Sequence, residues 1–269
     1  MTALLARRRS PLATAVLLLL ALLVVGGGYA ALSSSGRADA APRSESSAVL
    51  QQGRKLYLEG CASCHGANLE GAQQPDGTVA GPTLIGVGAA AVDFQVGTGR
   101  MPLSNPNIQA PSKQPIYDDA EVAALAAYVA SISPGPAIPS AEELDQSDAD
   151  IALGGNLFRN NCASCHNFSG QGGALTNGKY APSMAQTTDR HIWEAMITGP
   201  QNMPVFPNST ITVQNKQDIL AYINSLQSHN NPGGVDLGRL GPVTEGILFW
   251  VVGIGALICV AVWIGIKAR

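Results

Sequence analysis

The chain has 269 residues, 46% of them hydrophobic and 13% charged, with 30 Gly, 17 Pro and five Cys; that is too long for one minimal domain and too apolar for a disordered chain. Sixteen Lys and Arg face nineteen Asp and Glu, but residues 1–32 hold three of the bases and residues 247–269 two more, with no acid in either stretch. The 11 bases and 19 acids between them leave a net charge of −8 with no basic stripe, which excludes nucleic-acid binding, since that needs clustered Lys and Arg on phosphates.

In chain order, Arg7, Arg8 and Arg9 come first and 21 uncharged residues follow at 12–32. About twenty residues of helix cross a bilayer core, so this stretch reads as a membrane anchor. A cleaved secretory signal is the competing reading, because Ala38-Asp39-Ala40 before Ala41 form a small-residue cleavage site, and both stay open. A helical pattern opens over 46–59, with Gly53 and Tyr57 in it, and runs into Cys61-Ala62-Ser63-Cys64-His65. A stretch rich in Gly and Pro then carries Gly81-Pro82-Thr83-Leu84 and Thr98-Gly99-Arg100-Met101-Pro102. A closing helix is expected over 118–131, where Asp118 and Asp119 supply an N-cap and a first-turn acid. Residues 133–139, Ser-Pro-Gly-Pro-Ala-Ile-Pro, are stiff and extended, and residues 142–150 carry five acids and no base, so this is a linker.

The pattern then recurs. Gly154, Phe158 and Cys162-Ala163-Ser164-Cys165-His166 each stand 101 residues after Gly53, Tyr57 and Cys61 to His65. Ala181-Pro182-Ser183-Met184 answers Gly81 to Leu84, Thr198-Gly199-Pro200-Gln201-Asn202-Met203-Pro204 answers Thr98 to Pro102, and a closing pattern over 214–225 answers 118–131. The expected organisation is an N-terminal anchor or signal with its linker at 1–45, one domain at 46–133, a Pro-rich acidic linker at 134–147, a second copy of the domain at 148–230 and a further linker at 231–246. Last come 20 uncharged residues at 247–266, with Phe249, Trp250 and Trp263 near the edges and Lys267 and Arg269 behind. This reads as a membrane helix with its basic tail in the cytoplasm, leaving both domains outside and, if the N-terminal segment is retained, both termini inside. Cys259 falls within that span and simply packs there.

Cys-x-x-Cys-His is the attachment pattern of a c-type haem: two thiols add to the vinyl groups and the adjacent His is aimed at the iron. Zinc sites keep their Cys pairs within about 15–20 residues, a thioredoxin-like pair needs a βαβ setting, and a structural disulfide gives no reason for a His after each pair. Two covalently attached haems are therefore expected, held by Cys61, Cys64 and His65 and by Cys162, Cys165 and His166. They also supply the apolar centre that the Gly-rich middle of each copy lacks, with Tyr57, Tyr128, Phe158 and Tyr222 packed around it. Residues 46–133 contain no second His and no Met but Met101, which makes Met101 the sixth ligand of the first iron. In the second copy the repeat points to Met203, with Met184 the rival; Trp193 and Met196 read as packing, and His191 and His229 as surface residues. His/Met ligation fills both axial positions and suits electron transfer, so no catalytic residue is expected.

Each copy resembles a class I cytochrome c domain: Gly and an aromatic on the opening helix, Cys-x-x-Cys-His, a Pro 16 to 17 residues after the His, a Met-Pro and a closing helix with Tyr. The resemblance implies a mainly α fold, two tandem class I cytochrome c domains flanked by N- and C-terminal transmembrane helices. It also implies that the carbonyls of Pro82 and Pro182 accept hydrogen bonds from His65 and His166. Residues 46–269, with Cys-Ala-Ser-Cys-His-Gly-Ala-Asn-Leu at 61–69, Thr-Gly-Arg-Met-Pro at 98–102, Gly-Gly-Ala-Leu at 172–175, Thr-Gly-Pro-Gln-Asn-Met-Pro at 198–204 and the C-terminal span, resemble the dihaem cytochrome c subunit of the actinobacterial cytochrome bcc complex, a menaquinol:cytochrome c reductase. This implies a place beside cytochrome b and the Rieske iron-sulfur protein in the cell membrane, taking electrons from the Rieske centre and passing them to the copper centre of an aa3-type cytochrome c oxidase. The competing functions are the electron-accepting cytochrome of a periplasmic dehydrogenase and a dihaem peroxidase. The first copy has eight extra residues between Met101 and Tyr128, in the Pro-rich stretch 105–117, expected either to touch a partner subunit or to be a tolerated surface insertion.

Overall fold

The computed structural model describes residues 11–34, 47–105, 108–228, 237–239 and 242–267. Arg7 to Arg9, the cleavage motif at 38–41, His229 and Arg269 lie outside the described residues. The segment up to Glu45 forms one unit and the chain from Ser46 another. In the first unit a single helix, α1 (Pro11–Ser34), covers the whole uncharged stretch, and its Leu and Val residues over 12–27 are exposed.

The second unit holds the repeat. The first copy runs α2 (Ser47–Gly60), a helical turn α3 (Ala62–His65), strands β1 (Ala72–Gln73) and β2 (Val79–Gly81), α4 (Gly88–Gly97) and α5 (Asp119–Ile132). The second runs α6 (Ile151–Asn161), α7 (Ala163–His166), β3 (Gly173–Ala174), β4 (Tyr180–Ala181), α8 (Asp189–Thr198) and α9 (Val213–Ser228), with a 3-10 turn at Thr176–Gly178. Each strand pair is a small antiparallel hairpin, with Ala72 opposite Gly81 in one and Gly173 opposite Ala181 in the other. The mainly α fold expected of two cytochrome c domains is the fold observed.

Local chemistry starts the helices where the sequence indicates. Asp118 caps α5 in a reciprocal box: its carboxylate accepts from the Glu121 amide at 2.8 Å while Glu121 accepts from the Asp118 amide at 3.0 Å. Asp150 caps α6 by accepting from the amides of Ala152 and Leu153. Thr188 caps α8 through the His191 amide, and Gly199 ends it in the left-handed region that a side chain disfavours.

In each copy the first helix crosses the last, α2 on α5 and α6 on α9. The repeated glycines sit where the backbones meet: a Cβ on Gly53 would lie 2.0 Å from the Ala124 carbonyl oxygen, and one on Gly154 1.9 Å from that of Asp218. One turn later Tyr57 and Phe158 are 1% and 0% exposed, their rings 5.5 Å from Tyr128 and 5.4 Å from Tyr222 at the same 48° tilt. Around these pairs grow two cores, Leu69, Val96, Val122, Leu125 and Val129 in the first copy and Ile192, Trp193, Met196, Ile219 and Leu220 in the second. Each such side chain contributes about 1.5–3 kcal/mol by leaving water.

The copies meet through their equivalent helices α4 and α8. Arg190 of α8 bridges Asp93 of α4 and, at 3.4 Å, Glu194 one turn along its own helix. The inserted loop of the first copy also reaches across, for Gln109 both donates to the Tyr180 carbonyl at 2.8 Å and accepts from the Tyr180 amide at 2.9 Å. Gln201 adds a 3.1 Å bond to the Ala110 carbonyl. The loop is thus held against the second copy at Gln109 and Ala110. The acidic linker is likewise docked on the second copy, with Gln146 bonded to Asp189 and Asn224, and Gln217 to the Glu142 carbonyl. The chain closes with α10 (Pro242–Phe249), a π turn at Trp250–Ile254 and α11 (Gly255–Lys267), a continuous apolar rod with exposed side chains.

Two candidate cofactor sites

The Cys-x-x-Cys-His segments fold identically. Cys61 ends one helix and opens the next turn, its carbonyl accepting from the amides of Cys64 at 3.1 Å and His65 at 2.9 Å; Cys162 does the same for Cys165 at 3.2 Å and His166 at 2.9 Å. The residue after each His, Gly66 or Asn167, takes a positive φ that turns the chain away. All five cysteines are free thiols. Within each motif the first is half-buried and the second exposed, and burial pushes the Cys61 and Cys162 thiols up to about 11.

His65 Nδ1 lies 2.8 Å from the Pro82 carbonyl oxygen and His166 Nδ1 lies 3.0 Å from that of Pro182. A carbonyl only accepts, so Nδ1 carries the proton and the Nε2 lone pair is left free, the tautomer a metal-ligating His needs. Burial holds the His166 imidazole below its ordinary pKa, against the pull of the Pro182 carbonyl, and so keeps it neutral.

In the second copy these groups open onto a cavity of about 240 Å³. Cys162, Cys165, His166, Met184 and Met203 line it together with apolar Phe158, Ile192, Met196, Phe206, Ile219 and Ile223. Both sixth-ligand candidates are therefore brought to the site. In the first copy Met101 packs against the core that also receives Cys61, Leu84 and Tyr117. Trp193 and Met196 are core residues, as expected. His191, expected at the surface, is instead mostly covered: it lines the cavity, and its Nε2 stands 3.9 Å from Asp93. Three further lining residues, Phe94, Arg100 and Gln109, come from the first copy and carry no local signal that would have placed them in the second copy's site.

Unspent thiols, a tethered neutral His and a thioether beside an apolar cavity fit a covalently attached haem. Comparison with known proteins agrees. Residues 50–133 match the family model described as cytochrome c, and residues 149–223 the model described as cytochrome C oxidase, cbb3-type, subunit III. A protein of Mycobacterium bovis named cytochrome bc1 complex cytochrome c subunit is 49% identical over 228 residues, 83% of this chain and 80% of that protein. Proteins of the same name from Corynebacterium diphtheriae and Mycobacterium leprae are each 45% identical, the first over 85% of both chains and the second over 83% of this chain and 78% of its own length. With two cytochrome c domains in tandem and relatives this similar along most of its length, the chain belongs to the family of bc1-complex cytochrome c subunits.

Proposed function

We propose that this chain is the membrane-anchored dihaem cytochrome of a quinol-oxidising respiratory complex. In this reading Cys61 and Cys64 hold one haem and His65 and Met101 ligate its iron, while Cys162, Cys165, His166 and Met203 do the same for a second. Bound haem supplies a one-electron couple. A His and a Met as its two iron ligands would leave no coordination position for a substrate, so the chain would contribute electron transfer to the reductase complex and no active site of its own. The carbonyls of Pro82 and Pro182 orient His65 and His166 and make their Nε2 atoms better donors. The observation that carries the reading is the doubled His–Pro carbonyl geometry beside unpaired thiols.

Met203 is favoured over Met184 by position. Met184 follows two residues after Pro182, and its side chain stands near Gly170 in the loop leaving His166. Its counterpart in the first copy is Leu84, which cannot ligate.

Electrons pass from the Rieske iron-sulfur protein, seated beside cytochrome b, through the two haems to the copper centre of an aa3-type oxidase. The cytochrome domains lie outside and the C-terminal tail on the cytoplasmic side, with the N-terminus also inside if the first helix is retained; tethering at the membrane raises the concentration of the domains at donor and acceptor. The test is to tag the C-terminus, extract the protein gently from native membranes, and record reduced-minus-oxidised haem spectra with the identities of the co-purifying chains. Two haems per chain, b- and a-type bands travelling with the c-type signal, and menaquinol-driven oxygen uptake are the expected results. A co-purifying dehydrogenase, or peroxidase turnover by the chain alone, would overturn the assignment.

A further inference from the structure

Part of the wall of the second copy's cavity comes from the first copy. Phe94 and Arg100, at the end of α4 and just beyond it, line it together with Gln109. The wall is fixed in place, because Gln109 is paired to both backbone groups of Tyr180. Arg100 lies over the buried Phe94 ring, 4.7 Å from its centre. Among the described residues no carboxylate stands within ion-pair distance of this guanidinium; the ion pair across the junction of the copies is made by Arg190 with Asp93 instead. Arg100 is itself half-buried. A partly buried cation without a counter-charge is costly, and a fold keeps one where an anion completes it.

The other charged and titratable groups around the cavity do not fill this role. Lys179 also lines it, half-buried, but its ammonium is bonded to the Asn202 side-chain oxygen at 2.9 Å, and burial holds the His191 imidazole below its ordinary pKa. An arginine matches the two oxygens of a carboxylate with two parallel N–H donors. Haem carries two such carboxylates, its propionates. We propose that Arg100, a residue of the first copy, binds a propionate of the haem held by the second.

The proposal rests on the two-haem reading above and adds a consequence for electron flow. Arg100 immediately precedes Met101, so two consecutive residues would touch the two cofactors, one as iron ligand and one as carboxylate clamp. The positive charge favours the reduced state of the second haem, since reduction adds a negative charge beside it. It also makes the junction between the copies part of the binding site.

The experiment is a redox titration of the purified full-length protein in detergent, with both haem waves resolved spectroscopically. Met101→His and Met203→His each displace one wave and so identify it. Arg100→Gln should shift the wave that Met203→His displaces towards lower potential, lowering that haem's reduced-to-oxidised ratio about tenfold at a fixed solution potential, the worth of one charge-assisted bond. Arg100→Lys should restore most of the shift, which a purely structural role for the side chain would not predict. Haem staining on a denaturing gel should show both attachments intact in every variant. The proposal falls if Arg100→Gln moves only the wave that Met101→His displaces, for the guanidinium then serves the haem of its own copy, or if it moves neither. If Met203→His displaces no wave, or only one copy carries haem, the two-haem reading itself fails and takes the proposal with it.

Discussion

The least expected residues are the carboxyls between the copies. Asp93 and Glu194 are 3% and 0% exposed, yet only Arg190 stands between them as a firm cation, and one oxygen of each carboxyl has no partner. Two negative charges against one positive are repaired by a proton, and burial, followed by the hydrogen bond and charge of Asp93, pushes the Glu194 carboxyl up to about 9 against the opposing pull of Arg190. Because the folded value lies above the unfolded one of 4.5, the native state holds the proton that the unfolded chain has lost. The stability from this group is complete below pH 4.5 and is lost as pH rises to about 9. Glu194→Gln keeps a neutral donor facing Asp93, so thermal melts should show it gaining on the native protein by on the order of 1 kcal/mol per pH unit across that window. Parallel pH profiles for the two proteins would refute the shared proton. The ligand assignment is also a residue-scale matter: Met203→Ala should lower one haem potential while Met184→Leu leaves both unchanged, and redox titration giving the reverse would move the sixth ligand to Met184.

Among the elements, those with a capped start or a wet face were legible. Helices α2, α5 and α9 lie where periodicity, the repeat and Asp118 placed them, and α6 stands in the second copy where α2 stands in the first. Helix α4 was not legible, because Gly-Ala-Ala-Ala-Val-Asp-Phe-Gln-Val-Gly packs on α5 and on α8 and shows no alternation of apolar and polar faces. The hairpins, two or three residues per strand, are too short to carry a period. Glycines at a fixed offset before the aromatic were visible as a repeat, but their reason is the helix crossing. Gly154→Ala should cost roughly 2 kcal/mol in chemical denaturation, the usual penalty of overpacking, since its Cβ meets the backbone of α9. Gly155→Ala should cost less, because its Cβ would stand 3.0 Å from the Tyr222 ring and 3.1 Å from the Arg159 guanidinium, side chains rather than backbone. Equal losses at the two positions would remove the crossing argument.

Across the whole molecule, what the sequence left hidden is what joins distant stretches. Cys61 to His65 and Met101 are local or nearly forced by elimination, whereas Arg100 and Gln109 enter the second copy's cavity only because α4 packs on α8 and the inserted loop pairs with β4. Attachment to the membrane belongs to the same scale. At about 1.5 Å per residue the 25-residue stretch Val243–Lys267 runs about 38 Å, longer than a hydrocarbon core of about 30 Å. Phe249, Trp250 and Trp263 stand exposed along it, so in water it would leave a continuous apolar surface uncovered. Helix α1 carries a second such surface over residues 12–27. Deleting residues 243–267 together with residues 1–40 behind a replacement secretion signal should therefore release the cytochrome domains into the aqueous fraction after alkaline washing, with both haems attached. The single deletion of 243–267 then reports the fate of α1: a protein that stays with the membrane retains it as an anchor, and one that is released has lost it to cleavage. A doubly deleted protein that still sediments with washed membranes, free of other subunits, would show that neither helix is what holds the chain there.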